Sequence, residues 1–229
     1  MEVRHQYSVL ADLFRYPKGD YIENVNACAK LLEGTYPSAF QEIQPFLEFV
    51  NSHNLYEIEE VFGKTFHIQA ICYLDMGYVL FAEDYKRGEF LVQMKNEQRK
   101  ANNDCGEELA DNLPNVLSLM AIMEDKEFLQ EFAIRVVKPA LQKMLKEFDE
   151  ARIALKDKVR KKKQKVILLE DMENKNIYQY ALQAIFNVVD VDYEDVNYND
   201  PLIVPTVGVD ALNCDSGCGT PSQQPVKTK

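Results

Sequence analysis

Three short stretches of the chain carry residue types at spacings that could do chemistry. Gly63-Lys64-Thr65 has the ending of a phosphate-binding loop, in which glycine-rich backbone wraps a phosphate while lysine and hydroxyl engage phosphate and magnesium. The upstream glycine of such a loop should stand at position 58, which is Ile58, and the surrounding pattern is helical with no strand before it. Glu2 and His5 form the one Glu-x-x-His unit in the chain, a spacing that projects carboxylate and imidazole from one helical face; di-metal bundles use such units in pairs. With only His5, His53 and His67 present, a histidine-rich metal site or a Ser-His-Asp relay lacks its parts, and His67, set in an apolar stretch, reads as a packed or rim histidine. Cys214 and Cys218, in Cys-Asp-Ser-Gly-Cys-Gly, could hold a soft metal or form a disulfide, yet two thiols do not complete a tetrahedral zinc site. No constellation carries enzyme chemistry, so a non-enzymatic role is expected.

The elements that would position any site are helical. Tyr7, Leu10, Ala11 and Phe14 follow the i, i+3, i+4, i+7 spacing of an amphipathic helix, and Tyr16-Pro17-Lys18-Gly19 stops it. Tyr21, Val25, Cys28, Ala29 and Leu32 make a second face, and Phe40, Ile43, Phe46, Leu47 and Val50 a third. The same period is read through Leu55, Ile58 and Phe62 and on through Ile71, Leu74, Tyr78 and Phe81. After Phe90, Leu91 and Met94 a polar loop at 101–107 precedes an apolar run to Met123; Phe128, Leu129, Phe132 and Val136 share a face, and Pro139 suits the first residue of a new helix. One more helix is predicted at 174–189. No run alternates as a half-buried strand does, so the expectation is an all-α fold: a single bundle of roughly eight to ten helices over 1–190, with a flexible tail over 191–229 rich in acids, glycine and proline.

Composition narrows the partners. The 26 basic and 37 acidic residues leave a net charge of −11, which opposes phosphate backbones and anionic lipid, so nucleic acid is not expected as a general partner. A cationic peptide would be attracted, although an acidic surface is more commonly just how a cytosolic protein stays soluble. Lys156 to Lys165 runs against this balance with seven basic residues and reads as a solvated helix end or linker. Five cysteines, an odd number with three of them scattered through helical segments, point to a reducing compartment. The N-terminus lacks the apolar stretch of a secretory signal, and the most apolar window, 69–82, is interrupted by Asp75 and too short to span a bilayer; a cytoplasmic protein with no membrane insertion is expected.

Two segments bear on function: Tyr78-Val-Leu-Phe-Ala-Glu-Asp84-Tyr-Lys-Arg87-Gly88 and Glu108-Leu-Ala-Asp-Asn-Leu-Pro114-Asn-Val-Leu. By local chemistry, Asp111 and Asn112 can accept bonds from the free amides of a first helical turn, and Pro114 loses nothing there. In order and spacing the two segments resemble the NarJ-type nitrate reductase delta-subunit family of redox-enzyme maturation chaperones. There an aromatic-rich helix leads to a Gly-Asp-x-x-x-Arg-Gly-like turn and, some twenty residues on, to Glu-Leu-Pro-Asp-x-Leu-Pro. Tyr7 to Pro17 resembles that family's first helix and its Tyr-Pro stop, and Tyr56 to Phe66 its segment ending in Thr-Phe-Asp, so the likeness covers about residues 5–150. The chain departs from the pattern at His67 in place of aspartate, Glu83 in place of glycine, Ala110 in place of the first proline, and in the Cys214/Cys218 tail.

The resemblance implies an all-helical chaperone without catalysis or cofactor of its own. It would bind the N-terminal region of the catalytic subunit of a molybdopterin oxidoreductase and hold it open while the molybdenum bis-guanine-dinucleotide cofactor is inserted. An apolar groove between helices would take an amphipathic client segment, and carboxylates around it would attract basic residues. The client-binding residues so implied are Tyr78 as an aromatic wall, Asp84 as anionic partner or turn cap, Arg87 and Gly88 as the positioning turn, and Asp111, Leu113 and Pro114 at the following helix mouth. Two readings compete: a metal-handling or redox protein acting through Cys214 and Cys218, and a general helical adaptor acting through the basic run.

Overall fold

The computed structural model describes residues 4–68, 70–148 and 177–196. The basic run, Glu2 and the Cys214/Cys218 tail therefore lie outside the described residues. Within them the secondary structure is helical, and the one β-like feature is an isolated antiparallel bridge between Asp75 and Asn112.

The chain starts with α1 (His5–Ala11), which tightens into a 3-10 turn at Asp12–Phe14. The stop expected after it forms at Gly19, whose φ of 57° suits a residue without a side chain. Then come α2 (Tyr21–Thr35), α3 (Pro37–Ser52) and α4 (Leu55–Phe66). Asn54 and Glu57 form a reciprocal capping box at the start of α4, satisfying two amides that a helix start leaves unpaired. Next are α5 (Met76–Phe81), α6 (Lys86–Lys100), α7 (Leu113–Ile122), α8 (Lys126–Phe132), α9 (Lys138–Glu147) and α10 (Tyr178–Asp192).

Two features differ from the periodicity. The period predicted to run from Leu55 to Phe81 is broken at 67–75: the amides of Ile71 and Cys72 turn back to the Thr65 carbonyl, and the Leu74 carbonyl accepts the Leu113 amide instead of continuing a helix. Ile71 and Leu74 are buried, but through loop packing. Pro139 does not begin a separate helix either. α8 runs into α9 without a loop, through a π-helical segment at Ala133–Val137. Proline has no amide and its ring crowds the carbonyl four residues before it, so a widened turn just ahead of Pro139 lets one rod pass the obstacle.

The core gathers on α10, which packs on α3 along one side and α9 along another; α1 packs on α7, and α2 on α3. Tyr178, Leu182, Ile185, Val188 and Val189 of α10 are fully buried. The Tyr178 ring lies 5.0 Å from those of Phe46 and Phe66, 5.6 Å from Phe62 and 6.0 Å from Phe14, in tilted or edge-on contacts. At the other end of α10, Asp192 accepts hydrogen bonds from Tyr7 Oη (2.8 Å), Tyr36 Oη (2.6 Å) and Gln6 Nε2 (3.0 Å), joining α1 and the α2–α3 corner to the last helix. Burial, with the Asp192 charge adding to it, holds the Tyr7 hydroxyl far above the usual phenol range, so it stays a donor. Asp192→Ala is expected to cost about 2 kcal/mol, because the buried Tyr7 hydroxyl loses its acceptor, and Asp192→Asn less; urea unfolding measures both.

Candidate functional site

The second of the two segments is tied to the residues just before the first, Leu74 to Gly77, which open α5. At six residues, α5 is too short to hold itself, since helix nucleation fixes several residues for the first bond. Its start is held by the residues before α7: Leu113 N donates to Leu74 O (2.9 Å) and Met76 N to Asp111 O (2.9 Å). Asn112 Nδ2 donates to Asp75 Oδ1 (3.0 Å), and Asp111 Oδ2 accepts from Gly77 N (2.9 Å). Asp111 and Asn112 were expected to cap α7; their side chains cap nothing there and instead fasten α5. The reason is tertiary: the free amides of α5 lie against Asp111, so it caps a helix thirty-four positions earlier in the chain. Pro114 sits in the first turn of α7 as expected, where a missing amide costs nothing.

Beneath this junction is a buried polar lattice. Gln98 Nε2 donates to the carbonyls of Ala110 (2.8 Å) and Asn115 (3.1 Å), while Asn115 Nδ2 donates to those of Leu109 (2.9 Å) and Cys105 (3.2 Å). Asn103 Nδ2 reaches Gln98 Oε1 at 2.7 Å. These bonds satisfy carbonyls along the inner edge of the irregular loop before α7 and in the first turn of α7, which would otherwise carry a desolvation penalty where they are buried. Gln98 and Asn115 were not singled out from the sequence. The signal for Gln98 was its place after Phe90 and Met94 at helical spacing, a polar residue on the buried stripe of α6.

Asp111 is the electrostatic centre of the junction. Its side chain is buried, and Oδ1 has no hydrogen-bond partner among the described residues. Burial raises its carboxyl above the usual range and the nearby Asp75 charge adds to this, while the Gly77 amide and Arg87 pull the other way. In the native state Asp111 thus keeps its proton at pH values where the unfolded chain has lost it, and stability falls as pH rises from the ordinary carboxylate range through the raised native value. Relative to Asp111→Asn, which cannot ionise, the wild type is expected to lose stability from about pH 4 upward. Urea midpoints across that range test this; a difference constant with pH would contradict it.

Above the junction lies a small aromatic surface. Tyr78 packs against Tyr73 with ring centroids 4.4 Å apart, and the Arg87 guanidinium carbon lies 5.1 Å from the Tyr78 centroid. Asp84 acts as a turn cap, its Oδ1 accepting from Lys86 N at 2.9 Å. The expected Arg87-Gly88 turn is displaced: the reversal falls at Ala82, with φ of 52°, and both Arg87 and Gly88 lie in the first turn of α6. Nothing stands near the position a Gly88 side chain would take, so neither backbone shape nor packing requires glycine there. Of the seven expected site residues, Tyr78, Asp84, Arg87 and Gly88 reach solvent, whereas Asp111, Leu113 and Pro114 are buried and act through position.

A second surface lies at the other end of α6. An open groove of about 690 Å³ runs between the end of α6 and the α7–α8 turn. Leu119, Ile122, Met123 and Phe128 give it an apolar floor, and Glu97, Glu124 and Asp125 line it with carboxylates against a single Lys100. Phe128 stacks on Phe132 and stays partly exposed.

The remaining chemical motifs are absorbed by structure. Gly63-Lys64-Thr65 lies inside α4, with Lys64 bridging Glu60 and Thr65 Oγ1 donating to the Val61 carbonyl, so its amides are committed to the helix and free for no phosphate. His67 is a rim residue, stacked on Tyr16 and edge-on to Phe62. Among the described residues no group of three His, Cys, Asp or Glu side chains could hold a metal, and no helix is long and apolar enough to cross a membrane.

Compared with known proteins, the chain matches no family model and no curated protein. Fold and site define an all-helical protein in which the residues before α7 fasten the start of α5, and in which α6, α7 and α8 leave a groove that is apolar within and acidic at its edge.

Proposed function

We propose that this protein is a cytoplasmic, non-catalytic assembly chaperone for a molybdenum oxidoreductase, binding the N-terminal region of the catalytic subunit while its cofactor is inserted. The observation that carries the reading is the groove between α6, α7 and α8. An amphipathic helix carrying basic residues would bury its apolar stripe on Ile122, Met123 and Phe128 and set its cations against Glu97, Glu124 and Asp125. The groove is built on α7, the helix opened by the Glu108-to-Pro114 segment, so the part of the chain with the family likeness is also the part that shapes it.

The test is capture of full-length cofactor-free catalytic subunit, and calorimetric titration with its N-terminal peptide, using wild type and Glu124→Lys/Asp125→Lys. Binding by wild type and an affinity loss of about tenfold or more in the charge-reversed variant are expected, since two rim charges change sign. Failure of both subunit and peptide to bind wild type overturns the proposal.

A further inference from the structure

The aromatic surface on α5 is covered by a cation that belongs to the chain itself. Arg87 lies over the Tyr78 ring at 5.1 Å, and the ring is backed by Tyr73, which is 45% exposed. Among the described residues Arg87 makes no ion pair; its charge lies over the Tyr78 ring and is also felt by the Asp111 carboxyl. Asp111 Oδ1 is buried and has no hydrogen-bond partner among the described residues. The two are linked through Gly77: a carbon placed on its Cα would meet Asp111 Oδ2 at 2.7 Å and Arg87 Cγ at 3.5 Å. The Arg87 stem thus already passes beside Asp111, and its guanidinium, three bonds beyond Cγ, can turn either to the Tyr78 ring or to the unpaired Oδ1.

We propose that the Tyr73–Tyr78 rings are a binding site for an arginine side chain of a partner, that Arg87 occupies this site in the free protein, and that Arg87 yields it by turning its guanidinium to Asp111 Oδ1. The ring quadrupole favours a planar, weakly hydrated guanidinium over a compact ammonium, which argues for arginine over lysine. Cation–π contacts at exposed positions are weak enough to exchange, whereas a charge-assisted bond to a buried carboxylate is strong, so displacement is offset by the new bond. The chain's net negative charge draws the incoming cation. The inference rests on the chaperone reading for the identity of the partner, and on the geometry alone for the site.

The experiment titrates the full chain with N-acetyl-arginine amide and follows the tyrosine ring resonances by NMR. Shifts at Tyr73 and Tyr78 are expected, and Tyr78→Leu should abolish them. Arg87→Ala, which removes the internal competitor from an exposed helix start, should tighten the probe about two- to fivefold, the size of one exposed cation–π contact. Asp111→Asn should weaken the probe when Arg87 is present and have no effect in the Arg87→Ala background. Unchanged or weaker binding by Arg87→Ala overturns the proposal, and so does equal binding of N-acetyl-lysine amide. An effect of Asp111→Asn that is the same in both backgrounds overturns the handover to Asp111; should that variant not fold, the Arg87→Ala and Tyr78→Leu titrations still decide the site. A catalytic subunit that fails to bind leaves this titration unaffected, so the two readings fail separately.

Discussion

Gly77→Ala should destabilise the protein by about 3 kcal/mol, although one methyl group is added at a helix start where alanine is intrinsically preferred over glycine. The added carbon would stand 2.7 Å from Asp111 Oδ2, a distance real side chains essentially never show, and 3.0 Å from Phe90 Cδ1, tight enough that the ring would have to shift. Neither neighbour can yield freely, because Phe90 is buried and Asp111 is held by its bond to the Gly77 amide and by its own carbonyl's bond to Met76. Relief requires α5 to move from α7, which breaks that pair and leaves the carboxylate buried without a donor. For a domain of this size the loss corresponds to a fall in melting temperature of about 6–12 °C. The mechanism has a signature beyond the magnitude: in an Asp111→Ala background the closer obstacle is gone, so Gly77→Ala should cost distinctly less there. Equal costs in both backgrounds would show that the contact with Asp111 is not the cause.

Tyr178→Ala should cost about 4 kcal/mol, near 8–16 °C in melting temperature. The ring is fully buried where α1, α3, α4 and α10 converge, with four phenylalanine rings around it. Those rings belong to different helices whose backbones cannot all close on the void. Tyr178→Phe isolates the hydroxyl, whose contact to the Tyr21 hydroxyl is long at 3.4 Å; Tyr21 retains its 2.8 Å bond to the Leu13 carbonyl, so this change should cost about 1 kcal/mol or less. Thermal melts of the pair separate packing from hydrogen bonding, and comparable losses in both would contradict a packing role.

The fold was legible where one helix face suffices to describe the burial. Tyr21, Val25, Cys28, Ala29 and Leu32 were read as one face and are buried together on α2, and on α3 Ile43, Phe46, Leu47 and Val50 are buried likewise while Phe40 is half-buried. Reading failed where backbone groups found partners far along the chain. Ile71 and Leu74 kept a helical spacing, yet their segment pairs with Thr65 and with Leu113 across a turn and a bridge. Pro139 looked like a beginning because proline suits first turns; a π-segment provides another way to accommodate it, and nothing in local spacing distinguishes the two.

At the candidate site the division is similar. The family resemblance implied Tyr78, Asp84, Arg87, Gly88, Asp111, Leu113 and Pro114, and the structure ties Asp111 and Leu113 to Leu74, Met76 and Gly77, just before Tyr78. Their roles depend on distances between residues separated in sequence. Asp111 looks like a cap for the next helix because it precedes Pro114, and becomes a fastener of α5 because Gly77 approaches it. Gly77 attracted no notice, since a glycine near a helix start needs no special reason until a carboxylate and a ring are found against it.

From the sequence alone came the helical class, the faces of the longer helices and the acidic balance, because periodicity and charge are properties of neighbouring residues. The tertiary structure alone decided which carboxylate is buried, which glycine cannot change, where Arg87 rests, and that α6, α7 and α8 leave an acidic-edged groove. Burial, unpaired polar atoms and close approach arise between segments distant in the chain, and no local spacing encodes the distance between them.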